Sequence, residues 1–353
     1  MSADRRSLVR ALGLALAIPA LAQAQGFAGL GTEAEGFSAV TPPAALAFPR
    51  DHGPHPDFRI EWWYLTADLA GPDGTPYGVQ WTLFRQAMAP VDAPGWESPQ
   101  VWMAHAAATT AGEHRFAGTF ARGGVGQAGV TLSPFRAFID DWAMTGRDDT
   151  LGALDLHAGG PGFAYDLALT AEGPLVPQGE GGYSVKSDAG QASYYYSQPF
   201  YAASGTLTLD GRSIPVTGRA WLDREWSSQP LTAGQEGWDW FALHLDDGAK
   251  VMVYLLRDKD GGAYLAGTWI AADGTAEPLP RDAIAAAPTA WTEVAGRRLP
   301  SGWRLAIASH DLAVDIAALN PQSWMGTTYA YWEGPVGVSG SHAGRGYLEM
   351  TGY

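Results

Sequence analysis

The chain has 353 residues, no cysteine, 15 tryptophans and a formal net charge of −15. Without thiols there is no disulfide and no thiolate chemistry. So acidic a chain carries no basic stripe for a phosphate backbone, which excludes nucleic acid as a partner.

Arg5, Arg6 and Arg10 precede an apolar stretch at residues 11–21, and the small residues Ala20, Ala22 and Ala24 follow. This order predicts a secretory signal peptide over residues 1–24, too short to be a membrane span. Arg5-Arg6, followed by Leu8 and Val9, also fits a twin-arginine signal. The mature protein is expected to be periplasmic or secreted, with no stable membrane insertion.

Beyond the leader the chain reads as all-β. Short runs of Val, Leu, Thr, Tyr and Trp alternate with Gly, Pro and Asp punctuation. Asp-Gly recurs at 73–74, 210–211, 247–248, 260–261 and 273–274. Residues 206–216 and 244–254 read as hairpins around two of these turns. A single short helix is expected around residues 281–287. His52 and His55 lie in a Pro-rich loop and the other histidines are scattered, so no metal site is expected. No Gly-x-Ser-x-Gly elbow occurs. Residues 124–129 match the dinucleotide fingerprint in letters only, without its strand–helix context. No cofactor is expected.

An order of residues occurs twice. Glu61-Trp62-Trp63-Tyr64-Leu65 leads through Asp73-Gly74 to an apolar run ending at Arg85. Asp239-Trp240-Phe241-Ala242-Leu243 leads through Asp247-Gly248 to a run ending at Arg257. One recurrence at such a distance suggests two related β domains, over residues 25–228 and 229–353, rather than a solenoid.

Several stretches resemble the secreted lipocalin-like proteins related to carotenoid 1,2-hydratase. They are residues 61–64 (EWWY), 80–85 (QWTLFR), 191–197 (QASYYYS), 218–223 (GRAWLD), 237–241 (GWDWF), 331–334 (YWEG) and 344–349 (GRGYLE). The resemblance runs from about residue 48 to the end. It implies two lipocalin-like antiparallel β-barrels packed side by side, with a cavity near their junction. It also implies hydration, hydrolysis or cyclisation of an apolar, isoprenoid-like substrate. Arg224 stands where the resemblance leads one to expect histidine, and an arginine cannot shuttle protons near neutral pH.

Large aromatics interleaved with acids are the most informative feature. In an extended run from 221 to 226, Trp221, Asp223 and Glu225 share one face, and Leu222, Arg224 and Trp226 share the other. Two neighbouring carboxylates in an apolar setting do not both ionise, so one is expected to hold a proton near neutral pH. Such an acid can protonate an alkene while aromatic faces stabilise the resulting cation. The candidate catalytic residues are Asp223, Glu225 and Glu61. The candidate ligand-binding residues are Trp62, Tyr64, His105, Tyr195, Trp221, Trp238, Trp240 and Trp332.

Blander readings compete. Asp223 and Glu225 could be paired with Arg219, Arg224 or Arg85. His105 reads as a satisfied core histidine and Lys186 as solvated; Glu333, beside Trp332, serves either pairing or function. Two function classes follow: a cofactor-free hydratase or related enzyme, and a carrier that shelters an apolar molecule unchanged. A neighbouring ABC transporter is kept as a candidate partner.

Overall fold

The computed structural model describes residues 34–353; the signal peptide expected at 1–24 lies outside them. All five Asp-Gly pairs close hairpins between antiparallel strands. At the tightest, Asp210 and Gly211 have φ of 48° and 76° between paired Leu209 and Arg212. Two successive left-handed residues match the right-handed twist of the flanking strands.

The strands form two curled antiparallel sheets, of thirteen and ten strands among the described residues. One closes almost into a barrel and the other into a half-barrel. The first sheet takes the strands up to Arg212–Ser227, and the second begins with Gln235–Leu245. Each curls by the same device. The Ile60–Ala70 strand pairs with its hairpin partner Pro76–Ala87 and also with the sheet's last strand in sequence, Arg212–Ser227. Likewise Gln235–Leu245 pairs with Lys250–Asp258 and with the last strand, Gly344–Met350.

No helix forms at 281–287. Arg281–Ala283 is a single 3-10 turn, and Ile284–Val294 is a strand paired with Arg297–Ile307. The alanines there favour a helix, but Pro288 bars its continuation, and so short a helix is marginal without packing of its own.

Strand alternation sends side chains to three cores. Trp63 and Leu65 face the interior of the first sheet, and Phe241 and Leu243 that of the second. Tyr64, Trp221, Trp240, Ala242 and Tyr347 form a third cluster, where the outward faces of the two sheets meet. At this seam a Cβ on Gly78 would lie 2.6 Å from Pro335 Cγ and Tyr347 Oη, so only glycine permits the close approach.

The repeated residue order is also a repeated geometry. Glu61 pairs with Arg85 in the first sheet, and Asp239 pairs with Arg257 at 2.7 Å in the second. Trp62 and Trp240, each next to its acid in sequence, both turn to the seam.

Candidate functional site

A cavity of about 190 Å³ opens in the seam. That exceeds the ~150 Å³ that suffices for one benzene ring. Its walls come from both sheets. Ile60, Phe84, Met103, Leu231 and Leu256 make it apolar, and the partly exposed Val101 and Phe120 mark its mouth.

Asp223 and Glu225 both line this cavity, and neither pairs with an arginine. They sit on the Arg212–Ser227 strand opposite Tyr64 and Trp62 respectively. Glu225 is bridged to Lys186 Nζ at 2.9 Å. Lys186 is therefore not solvated: it is buried on the cavity wall, with its ammonium 4.1 Å from the centre of the Tyr254 ring. Burial pulls this ammonium's pKa down, but Glu225, with Tyr254 and Asp223, more than offsets that and leaves it raised.

Among the described residues no cationic side chain forms an ion pair with Asp223. Tyr195 Oη and Trp221 Nε1 each donate to it at 2.7 Å, and Ser197 Oγ donates as well. Burial dominates these donors and pushes its carboxyl up to about 7. The cause of the held proton is thus desolvation rather than mutual repulsion with Glu225, which contributes least.

Glu61 is not part of the site. Alternation turns it into the first sheet, where Arg85 Nε and Arg224 Nη2 (3.1 Å) hold it and His55 donates its backbone N–H at 2.9 Å. Against the upward pull of burial, this set keeps its carboxyl well below the usual range. An acid so firmly ionised cannot supply a proton near neutral pH. Arg224 is fully buried on the same side, 3.8 Å from the centre of Trp63 and donating to Trp62 O at 2.7 Å. Position 224 faces away from the cavity, so the missing histidine removes no proton carrier from it.

Of the candidate ligand-binding residues, Trp62, Tyr64, His105, Tyr195, Trp238 and Trp240 line the cavity. His105 is also satisfied, with Nδ1 3.0 Å from Tyr331 Oη, and burial lowers its pKa to about 4, so it is neutral. Trp221 stands behind the wall, holding Asp223. Trp332 belongs to the second core, its indole donating to Pro321 O at 2.9 Å. An indole committed to an internal carbonyl on the far face of its strand cannot meet a ligand.

The second sheet adds two acids: Glu349, which the sequence did not single out, and Glu333, which it left open between pairing and function. Glu349 lines the cavity beside Trp240 and accepts from Trp238 Nε1. Burial raises its carboxyl to about 7. Glu333 lies opposite Glu349 in register and accepts from Tyr64 Oη; burial, then Glu349, push its pKa well up. The available signal was position: Glu225 and Glu349 occupy matching places on the closing strands of the two sheets, next to Trp62 and Trp240.

The raised carboxyl of Glu349 makes a testable sign. Between the ordinary carboxylate pKa and 7, the folded chain binds a proton that the unfolded chain does not. The group therefore favours folding at low pH, and that contribution is lost as the pH rises to 7. Glu349→Gln removes the dependence. Relative to wild type, the variant should gain roughly 1–3 kcal/mol on going from pH 4 to pH 8. Urea unfolding of both proteins at the two pH values reads this directly, and an unchanged difference would show that Glu349 titrates normally.

Comparisons with known proteins agree on the fold. The profile of the AttH-like family matches residues 39–353. A solved structure of an AttH-like protein from Nitrosomonas europaea superposes with a TM-score of 0.80 at 36% identity, covering 90% of this chain and all of that one. Kievitone hydratase from Nectria haematococca superposes with a TM-score of 0.67 at 17% identity, covering 91% of this chain and 98% of the other. No curated protein matches the sequence. With nearly the whole described chain matched by one profile, the protein belongs to the AttH-like family.

Proposed function

We propose that this protein is a cofactor-free, hydratase-like enzyme that adds water to a carbon–carbon double bond of an apolar, isoprenoid-like substrate. The signal-peptide pattern supports an exported enzyme. The observation that carries the reading is Asp223, a carboxyl without a cationic partner, on the wall of an apolar cavity and held up to about 7. At that pKa the group is a competent proton donor near neutral pH.

In the proposed step the Asp223 proton goes to one alkene carbon and the π-electrons form the new C–H bond. Positive charge develops on the other carbon, which the faces of Trp62, Tyr64 and Trp240 stabilise. Water bonds to that carbon, and its surplus proton goes to the ionised Glu349 across the seam; solvent exchange restores both acids. The likeness of fold to a hydratase supports the reading. A carrier needs none of these carboxyls, because a lipocalin-like barrel holds apolar ligands without acids.

The test is to incubate the mature protein with an extract of apolar metabolites and to compare masses before and after. The expected result is a species heavier by one water that accumulates with time and enzyme concentration. Co-purification of an unchanged molecule, with no mass shift in any component, would leave the carrier reading standing instead.

A further inference from the structure

The cavity is lined by more carboxyl groups than cations among the described residues. Asp223 and Glu225 come from the first sheet and Glu349 from the second, while the one cationic side chain lining the cavity among the described residues is Lys186. That lysine is already committed to Glu225. The remaining neighbours bring no positive charge: His105 is neutral, and Tyr64, Tyr195, Tyr254 and Tyr331 hold their protons. Asp239 and Arg257 pair with each other on the far face of their strands.

The walls between the two unpaired acids are aromatic. Trp240 lies beside Glu349 in register, and its indole donates to Tyr195 Oη at 3.2 Å. Tyr195 in turn donates to Asp223. The Tyr64 ring meets Trp240 edge-on at 5.2 Å. The same walls already carry one ammonium: Lys186 Nζ sits 4.1 Å from the Tyr254 ring centre and 4.9 Å from that of Tyr195. An organic cation in the open part of the cavity would meet aromatic faces and two carboxyls that lack a counter-ion.

We infer that the cavity binds lipophilic ammonium ions, amines or quaternary ammonium groups carried on an apolar body, between Asp223 and Glu349. The inference rests on the proposed function for the cavity itself but not for the chemistry; on that reading such a cation imitates the charge that develops in the reaction. Binding draws the ionised form of both acids, so it releases protons near neutral pH, and affinity rises with pH as they ionise.

The probes are benzyltrimethylammonium and its uncharged isostere neopentylbenzene, titrated into the full-length mature protein by calorimetry between pH 5.5 and 8.5. At pH 8.5 the cation is expected to bind about tenfold more tightly than the isostere. Its affinity should fall by at least about tenfold at pH 5.5, whereas the isostere's stays flat. At pH 7 the cation alone should show a heat that varies with the ionisation enthalpy of the buffer. Glu349→Gln, checked for folding by circular dichroism, should lose most of the preference for the cation and keep the isostere's affinity. Equal affinities at pH 8.5 would overturn the inference and leave the apolar cavity intact as a site. Binding of neither probe would overturn both it and the ligand-cavity reading.

Discussion

Replacing Asp223 with asparagine should reduce turnover by roughly 10²–10⁴, the span typical of a lost general acid. Apolar ligand affinity should stay within a few fold. The substitution preserves shape, and Trp221 Nε1 still has an oxygen to donate to. Ser197 donates to that same oxygen and can go on doing so, while Tyr195, which donates to the other, can rotate its hydroxyl to accept from the new amide. Nor should the protein be destabilised near neutral pH. A carboxyl raised to about 7 favours folding only while protonated, and that contribution is already fading there. Turnover of the product found in the mass comparison, binding affinity and melting temperature are the three measurements. Unchanged turnover in a folded variant would remove Asp223 from the reaction.

The opposite behaviour is expected at Glu61. Glu61→Gln keeps the side chain's shape and removes the charge that neutralises two arginines. Arg85 is 1% exposed and Arg224 fully buried. Taking away one partner of a buried ionic set costs about 3–5 kcal/mol, because the remaining charges stay desolvated. Denaturant unfolding at pH 7 should show a loss of this size. Turnover per folded molecule should be unaffected, since Glu61 does not line the cavity. A loss below about 1 kcal/mol would mean that the guanidinium contacts to His55 O, Phe58 O, Gly53 O and Trp62 O suffice on their own.

The contrast between these two acids shows how far the sequence could be read. Alternation along 221–226 sorts Asp223 and Glu225 from Arg224 without any structure. The same alternation applied to 61–64 separates Glu61 and Trp63 from Trp62 and Tyr64. By periodicity alone Glu61, a catalytic candidate from sequence, falls on the inner face with Trp63 and away from Trp62 and Tyr64. The Asp-Gly turns were legible because a left-handed pair is a local requirement. Lys186, Glu333 and Glu349 were not, because their roles arise only when the outward faces of two sheets are pressed together. No local pattern records which residue of one sheet will stand across from which residue of another. The raised pKa of Asp223 has the same origin: it depends on what the second sheet excludes rather than on the neighbouring carboxylate.

The seam also bears on how such a protein can change over time. Each sheet keeps its own interior, with Trp63 and Arg224 on one side and Phe241 and Trp303 on the other. The cavity is assembled instead from the outward side chains, which those interiors do not need. Apolar wall positions such as Ile60, Phe84, Met103 and Leu256 can therefore exchange size and shape at small cost to either core. Selection can then alter the shape of the cavity while the two sheets persist. A scaffold divided in this way is suited to diversification of its cavity, with the acids held in place by tyrosine and tryptophan donors as the walls around them drift.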